Sequence, residues 1–261
     1  MIQPLVIANW KMNGSYAANY NLLTYLLPEI AVNRLARIGL CPAYPYLAQV
    51  GQRLVGSPVW LGAQNASAYS EGAHTGEVNV AMLRELGCEY VLVGHSERRL
   101  MHGEDDTAVA AKFAAVEAAG ISPILCVGEN LAECEAGETE TVITRQVMAV
   151  IDQVGIDHFF NAVIAYEPGW ANGTGQIASS EHVQYVHGLI RRLLRDRDPY
   201  IARELQLIYG GSVNPTNAIA LFQQPDVNGA LVGGASLDAR AFIAICDALE
   251  QAHRHALAQG A

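Results

Sequence analysis

Short, unbroken apolar runs recur along the chain. Longer stretches between them return apolar residues at helical spacing. The runs at 5–8, 38–41, 59–63, 90–93, 124–127, 162–166, 205–209 and 230–232 are rich in Val, Ile and Leu and do not alternate with polar residues. Runs of this kind suit strands covered on both faces, as in parallel sheets. Parallel neighbours need a long crossover connection, usually a helix. Helices are expected at 16–27, 108–119, 139–154, 180–195 and 239–258. In the fourth, Val183, Val186, Leu189, Ile190, Leu193 and Leu194 make an apolar stripe, which is read as core packing. Asp105 or Asp106 is placed to cap one helix, and Asn214 before Pro215 to open another. The pattern gives eight strand–helix units with no long linker. Two doubly wound domains would show a polar or Pro/Gly-rich seam near the middle. The acidic stretch 133–140 is short and runs straight into a helix. The expected fold is therefore α/β, a single closed (β/α)8 barrel of parallel strands (the TIM-barrel architecture) over residues 1–261. Such barrels typically run to about 250 residues.

Composition narrows the function classes. Hydrophobic residues make up 51% of the chain and charged residues 16%, the reverse of a disordered chain. A net charge of −10 supplies no basic face for nucleic acid. The longest uncharged stretch, between Glu204 and Asp226, is broken by Gly210, Gly211, Asn214, Pro215 and Asn217. A membrane span needs about 20 mostly apolar residues, so none is expected. The start, Met1-Ile2-Gln3-Pro4, lacks the basic and apolar stretches of a signal peptide. Five widely spaced cysteines without a C-x-x-C pair argue against a zinc site or disulfide framework. Reduced thiols and a cytoplasmic location are the expectation.

In a barrel of this type the site lies in the loops after the strands. After the first strand come Asn9-Trp10-Lys11, and after the fourth Gly94-His95-Ser96-Glu97-Arg98-Arg99. The sixth is followed by Glu167-Pro168-Gly169-Trp170, the seventh by Gly210-Gly211-Ser212, and the eighth by Gly233-Gly234-Ala235-Ser236. Only Lys11 and Lys112 are lysine among sixteen basic residues, so Lys11 at a strand end stands out. A compact ammonium there suits a phosphate or a developing oxyanion. Ser96 would open a short helix, and a helix N-terminus disfavours a cationic imidazole at His95. Glu97 is either part of the site or a surface partner of Arg98 or Arg99. A carboxylate at Glu167, between an apolar strand and a Trp-containing loop, is partly desolvated and suits a general base. The two glycine pairs fit a phosphate cradle, since glycine lets backbone N–H groups approach an anion. Gly173-Thr174-Gly175-Gln176-Ile177-Ala178 matches G-x-G-x-x-A, but residues 168–172 separate it from its strand, where a dinucleotide fingerprint would follow directly. A glycine-rich lid fits better.

At these residues the chain resembles the triosephosphate isomerase family from end to end. The likeness is carried by Asn9-Trp10-Lys11-Met12-Asn13-Gly14, Gly62-Ala63-Gln64-Asn65, Gly72-Ala73-His74-Thr75-Gly76-Glu77 and Val93-Gly94-His95-Ser96-Glu97-Arg98-Arg99. It continues through Cys126-Val127-Gly128-Glu129, Ala165-Tyr166-Glu167-Pro168, Tyr209-Gly210-Gly211-Ser212-Val213 and Leu231-Val232-Gly233-Gly234-Ala235-Ser236-Leu237. The resemblance implies an isomerase of dihydroxyacetone phosphate and glyceraldehyde 3-phosphate, with no cofactor and no metal. It implies that Glu167 is the base and that neutral His95 polarises the carbonyl and shuttles protons between the enediolate oxygens. Lys11 neutralises the phosphate and enediolate, Asn9 adds a donor, and Glu97 supports Lys11. Backbone N–H groups at Gly173, Ser212, Gly233 and Gly234 hold the phosphate. A homodimer through the loop around Thr75 is implied as well.

The lid departs from the family. Gly169 stands where valine is usual, and Asn172 where isoleucine closes over the base with Leu231. His74 replaces the usual aromatic of the dimer loop. The lid changes are expected to slow turnover, and the alternative reading is a phosphate-ligand barrel with impaired catalysis. Another sugar-phosphate barrel, such as a metal-dependent epimerase, would need metal ligands at strand ends. The sequence offers no such set.

Overall fold

In the computed structural model, residues 2–30, 34–171 and 177–258 are described. In chain order the elements are β1 (Leu5–Asn9), α1 (Tyr16–Ile30), β2 (Arg37–Cys41), α2 (Leu47–Leu54), β3 (Val59–Ala63), α3 (Val80–Glu85), β4 (Cys88–Val93) and α4 (Ser96–His102). Then follow α5 (Asp106–Ala118), β5 (Ser122–Val127), α6 (Leu131–Glu135), α7 (Thr139–Val154), β6 (Val163–Tyr166), α8 (Ser180–Arg195) and α9 (Pro199–Glu204). The chain ends with β7 (Gln206–Tyr209), α10 (Ala218–Phe222), β8 (Gly229–Val232) and α11 (Ala239–Ala258). The strands pair in parallel in sequence order, and β1 closes on β8 with Leu5 opposite Gly229. The architecture is the expected (β/α)8 barrel.

All eight strands fall within two residues of the apolar runs, and α7, α8 and α11 have the expected bounds. The helices absent from the hydrophobic pattern (α2, α3, α6, α9, α10) have five to eight residues, too few to build a repeating stripe. Asp105 rather than Asp106 caps α5, its Oδ1 accepting the Ala108 N–H at 2.8 Å. The expectation at Asn214-Pro215 is corrected: helix α10 starts three residues later, at Ala218. Asn214 Oδ1 accepts the Thr216 and Asn217 N–H groups, which closes a polar turn before the helix can begin.

Successive residues of a strand face opposite sides of a sheet. On one side Leu5, Ile7, Leu92, Ile124, Val163 and Ile208 fill the barrel interior. On the other Val6, Ala8, Val91, Ile164 and Leu207 pack against the helical ring. The outer ring also buries a histidine. His187 of α8 is fully buried, with Nδ1 3.0 Å from the Asp226 carbonyl oxygen and no hydrogen-bond partner for Nε2 among the described residues. Burial pushes this imidazole down to about 4, against the attraction of Asp226.

The depressed value has a pH consequence. The unfolded chain binds this proton near pH 6.5 and the folded chain only near 4. The stability tied to neutral His187 is therefore complete above about pH 6.5 and is lost as pH falls towards 4. Denaturant unfolding at pH 7 and 4.5 should show a loss of about 2–3 kcal/mol from this residue. His187→Gln should have a correspondingly shallower pH dependence. An identical dependence in the variant would remove the assignment.

Candidate active site

The inward alternation continues past the strand ends onto the rim. Asn9 follows Leu5 and Ile7, and Glu167 follows Val163 and Ala165. Gly128, Gly210 and Gly233 occupy the equivalent positions after β5, β7 and β8. Their missing side chains create the space between the functional groups. A Cβ at Gly128 would overlap the Glu167 carbonyl oxygen, and one at Gly210 would lie 2.6 Å from Glu167 Cγ. At Gly233 a Cβ would approach Lys11 Cε to 3.3 Å. The result is a cavity of about 550 Å³ lined by Asn9, Lys11, His95, Glu167, Ser212, Gly233 and Gly234 among others. That volume suits a small molecule. The structure thus brings every expected site residue to this cavity except Glu97, which borders a neighbouring cavity, and Gly173. Gly173 and the lid residue Asn172 lie outside the described residues.

Glu167 is 1% exposed. Its Oε2 accepts the Ser96 N–H at 2.9 Å, at the N-terminus of α4, where the helix dipole favours negative charge. Its Oε1 lies 3.2 Å from His95 Nε2. His95 caps α4: its Nδ1 accepts the Glu97 N–H at 3.2 Å. An imidazole nitrogen that accepts carries no proton, so the ring's proton sits on Nε2 and points at the carboxylate side of the cavity. Arg99 fixes the start of α4 against β5, donating Nε to the Gly94 carbonyl and Nη2 to the Cys126 carbonyl. Below the base, burial together with the Glu167 charge pushes the Cys126 thiol well above the ordinary thiol range.

Glu97 is not the surface partner of Arg98 or Arg99. Those pair with Glu104 and Asp106, and Glu97 Oε1 takes the Lys11 ammonium at 2.6 Å. Lys11 has φ +50°, the only positive φ among the described non-glycine residues. For a residue with a Cβ this left-handed backbone costs roughly 1–3 kcal/mol, and such strain gathers at functional sites. The second lysine, Lys112, is buried against Glu104 and Asn65.

Sequence reasoning missed one cluster. Glu129 is fully buried after β5, and its Oε1 accepts both the Tyr166 hydroxyl at 3.0 Å and the Trp170 indole N–H at 2.9 Å. His182 Nε2 lies 3.0 Å from the same hydroxyl. Burial, with the Glu129 charge behind it, raises the Tyr166 phenol far above its usual range. Nothing in the composition around Glu129 marks it. Gly169 packs against the same segment. Its N–H donates to the Glu129 carbonyl at 2.8 Å, and a Cβ would sit 3.0 Å from that oxygen. Valine there would crowd the backbone of Glu129.

Fold and rim together define a barrel enzyme equipped to move protons on a small anionic substrate. The family model described as Triosephosphate isomerase matches residues 4–249. Over 95% of its length the chain is 50% identical to the triosephosphate isomerase of Alcanivorax borkumensis, covering 98% of that protein. It is 52% identical to the one of Thiobacillus denitrificans, and 48% identical to the one of Nitrosococcus oceani, each 99% covered. The chain belongs to the triosephosphate isomerase family.

Placement of the base depends on the empty position at Gly210. Gly210→Ala should push Glu167 aside by a fraction of an ångström to 1 Å and lower kcat by about ten- to a hundredfold. Steady-state kinetics beside a thermal melt checks it. A folded variant with unchanged kcat contradicts the role given to this glycine.

Proposed function

We propose that the chain interconverts dihydroxyacetone phosphate and D-glyceraldehyde 3-phosphate, a step of glycolysis, by proton transfer through an enediolate. The observation that carries this reading is Glu167 Oε1 at 3.2 Å from His95 Nε2 inside a cavity that also holds Lys11. Glu167 takes a proton from the carbon next to the carbonyl. The electron pair of that C–H bond forms the C=C bond, and the carbonyl oxygen gains the negative charge. His95 meets this oxygen with its Nε2–H, and Lys11 offsets its charge. His95 passes its Nε2 proton to this oxygen and takes up the hydroxyl proton of the neighbouring oxygen, so the charge moves there. Glu167 then returns its proton to the former carbonyl carbon, and the enediolate collapses to the isomeric carbonyl. Asn9 uses Oδ1 to hold the Lys11 N–H at 3.0 Å, which leaves its Nδ2 as the donor to substrate. Glu97 steadies Lys11. Backbone N–H groups of Ser212, Gly233 and Gly234 are assigned to the phosphate, with Gly173 as the fourth.

The scheme uses no cofactor or metal. Among the described residues no group of three or more His, Cys, Asp or Glu is placed to hold a metal ion. A poorly active phosphate binder finds no specific support. Glu167→Gln should lose nearly all turnover and still bind inorganic phosphate. Glu167→Asp, retracted by roughly 1 Å, should lose about a hundredfold in kcat. Substantial turnover by Glu167→Gln would contradict the base assignment.

The working form is read as a homodimer through the loop around Thr75. That loop is exposed, with His74 stacked on Tyr69 at 4.1 Å. A cavity of about 360 Å³ lined by Lys11, Gln64, His95 and Glu97 offers it a seat on a second copy. Met12 and Met101 stand 96% and 75% exposed, apolar side chains that a second copy would cover. Light scattering at micromolar concentration should give twice the 28.0 kDa chain mass, and a fully active monomer would sink the idea. The location is read as cytoplasmic because all five cysteines are free. Among the described residues no helix is long and apolar enough to cross a membrane.

A further inference from the structure

Lys11 is the strained point of the site, and the structure holds its peptide groups from two sides. Asn9 Oδ1 accepts the Lys11 N–H at 3.0 Å. The Lys11 carbonyl accepts from Gln64 Nε2 at 2.9 Å. The same Nε2 donates to the Cys41 carbonyl at 2.8 Å, and that carbonyl also takes the Trp10 N–H at 3.1 Å. Gln64 thus spans three strand ends: rooted after β3, it reaches past β2 to the loop after β1. Its orientation is forced, since both partners are carbonyl oxygens and only the NH₂ end can donate. Gln64 reaches this place by the strand alternation, as the next inward position after Trp60 and Gly62. Gly62 clears its path, because a Cβ there would come within 2.5 Å of Cys41 Sγ.

We infer that Gln64 is a positioning residue for Lys11, its amide holding the Lys11 peptide in the left-handed conformation that keeps the ammonium on Glu97 at the mouth of the site. The inference rests on the reading of Lys11 as the cation that meets phosphate and enediolate. A residue with a Cβ leaves φ +50° unless its surroundings over-determine it. Hydrogen bonds to both Lys11 backbone groups do so. Asn9 alone leaves the carbonyl free to rotate. Without the Gln64 amide the Lys11 peptide relaxes and the ammonium withdraws from its place.

The test compares the wild type with Gln64→Leu, which removes the donor, and Gln64→Asn, which keeps the amide and shortens its reach. Crystal structures, calorimetric binding of inorganic phosphate, and kcat and KM are measured where light scattering gives all three proteins the same mass. Gln64→Leu should return Lys11 to negative φ. Phosphate should bind about tenfold more weakly, and kcat/KM should fall by at least about tenfold, on the scale of a misplaced catalytic group. Gln64→Asn should move in the same direction by less, and it decides the matter if the leucine variant does not fold. Lys11 still near φ +50°, or unchanged phosphate affinity, overturns the inference. If the wild type binds phosphate without isomerising its substrate, the functional reading fails, and the phosphate and φ comparisons still judge Gln64.

Discussion

A strand in a closed barrel faces inward only at every second residue, and the site is built on that constraint. The alternation that sends Leu5, Ile7, Val163 and Ala165 into the core places Asn9 and Glu167 at its upper edge. The same count puts glycine at 128, where the Glu167 carbonyl packs close, and at 210 and 233, where the layer that would cap the core opens as a cavity. Packing and catalysis are thus one pattern read at different heights. Below the rim the inward positions are filled with aliphatic side chains, and at the rim they are either functional or empty.

The second organising element is the start of α4. Its first turn offers the Ser96 N–H to Glu167 and the Glu97 N–H to His95. One short helix therefore sets both the resting place of the base and the tautomer of the imidazole. Arg99 ties this turn to the carbonyls of Gly94 and Cys126, which keeps it in register with β4 and β5. Glu97, from the same turn, reaches across to Lys11. A shift of α4 would disturb three groups at once, whereas the strands anchor each separately.

Much of this was legible in the sequence. The strands were, because burial on both faces leaves uninterrupted Val, Ile and Leu runs. The cavity-lining residues at the strand ends were, because polar and charged groups follow directly on five of these runs. Short helices such as α3 and α6 were not, because one or two turns carry no periodicity. Pro215 misled, since a polar turn and a helix start draw on the same residues, and only the Asn214 hydrogen bonds separate them. Glu129 and Gln64 were hidden for another reason: their work lies in contacts with residues 41 and 53 positions away, and no local pattern records such distances.

The thiol under the base gives the site a chemical durability that its shape does not reveal. Oxidants and electrophiles attack a thiolate far faster than a thiol. Cys126 is buried within the field of the Glu167 carboxylate, and both influences keep its proton in place. The Glu167 charge proposed to take the substrate's proton therefore also disfavours the reactive thiolate of its sulfur neighbour. A lesion there would introduce a bulky polar oxide beside the Glu167 carboxylate.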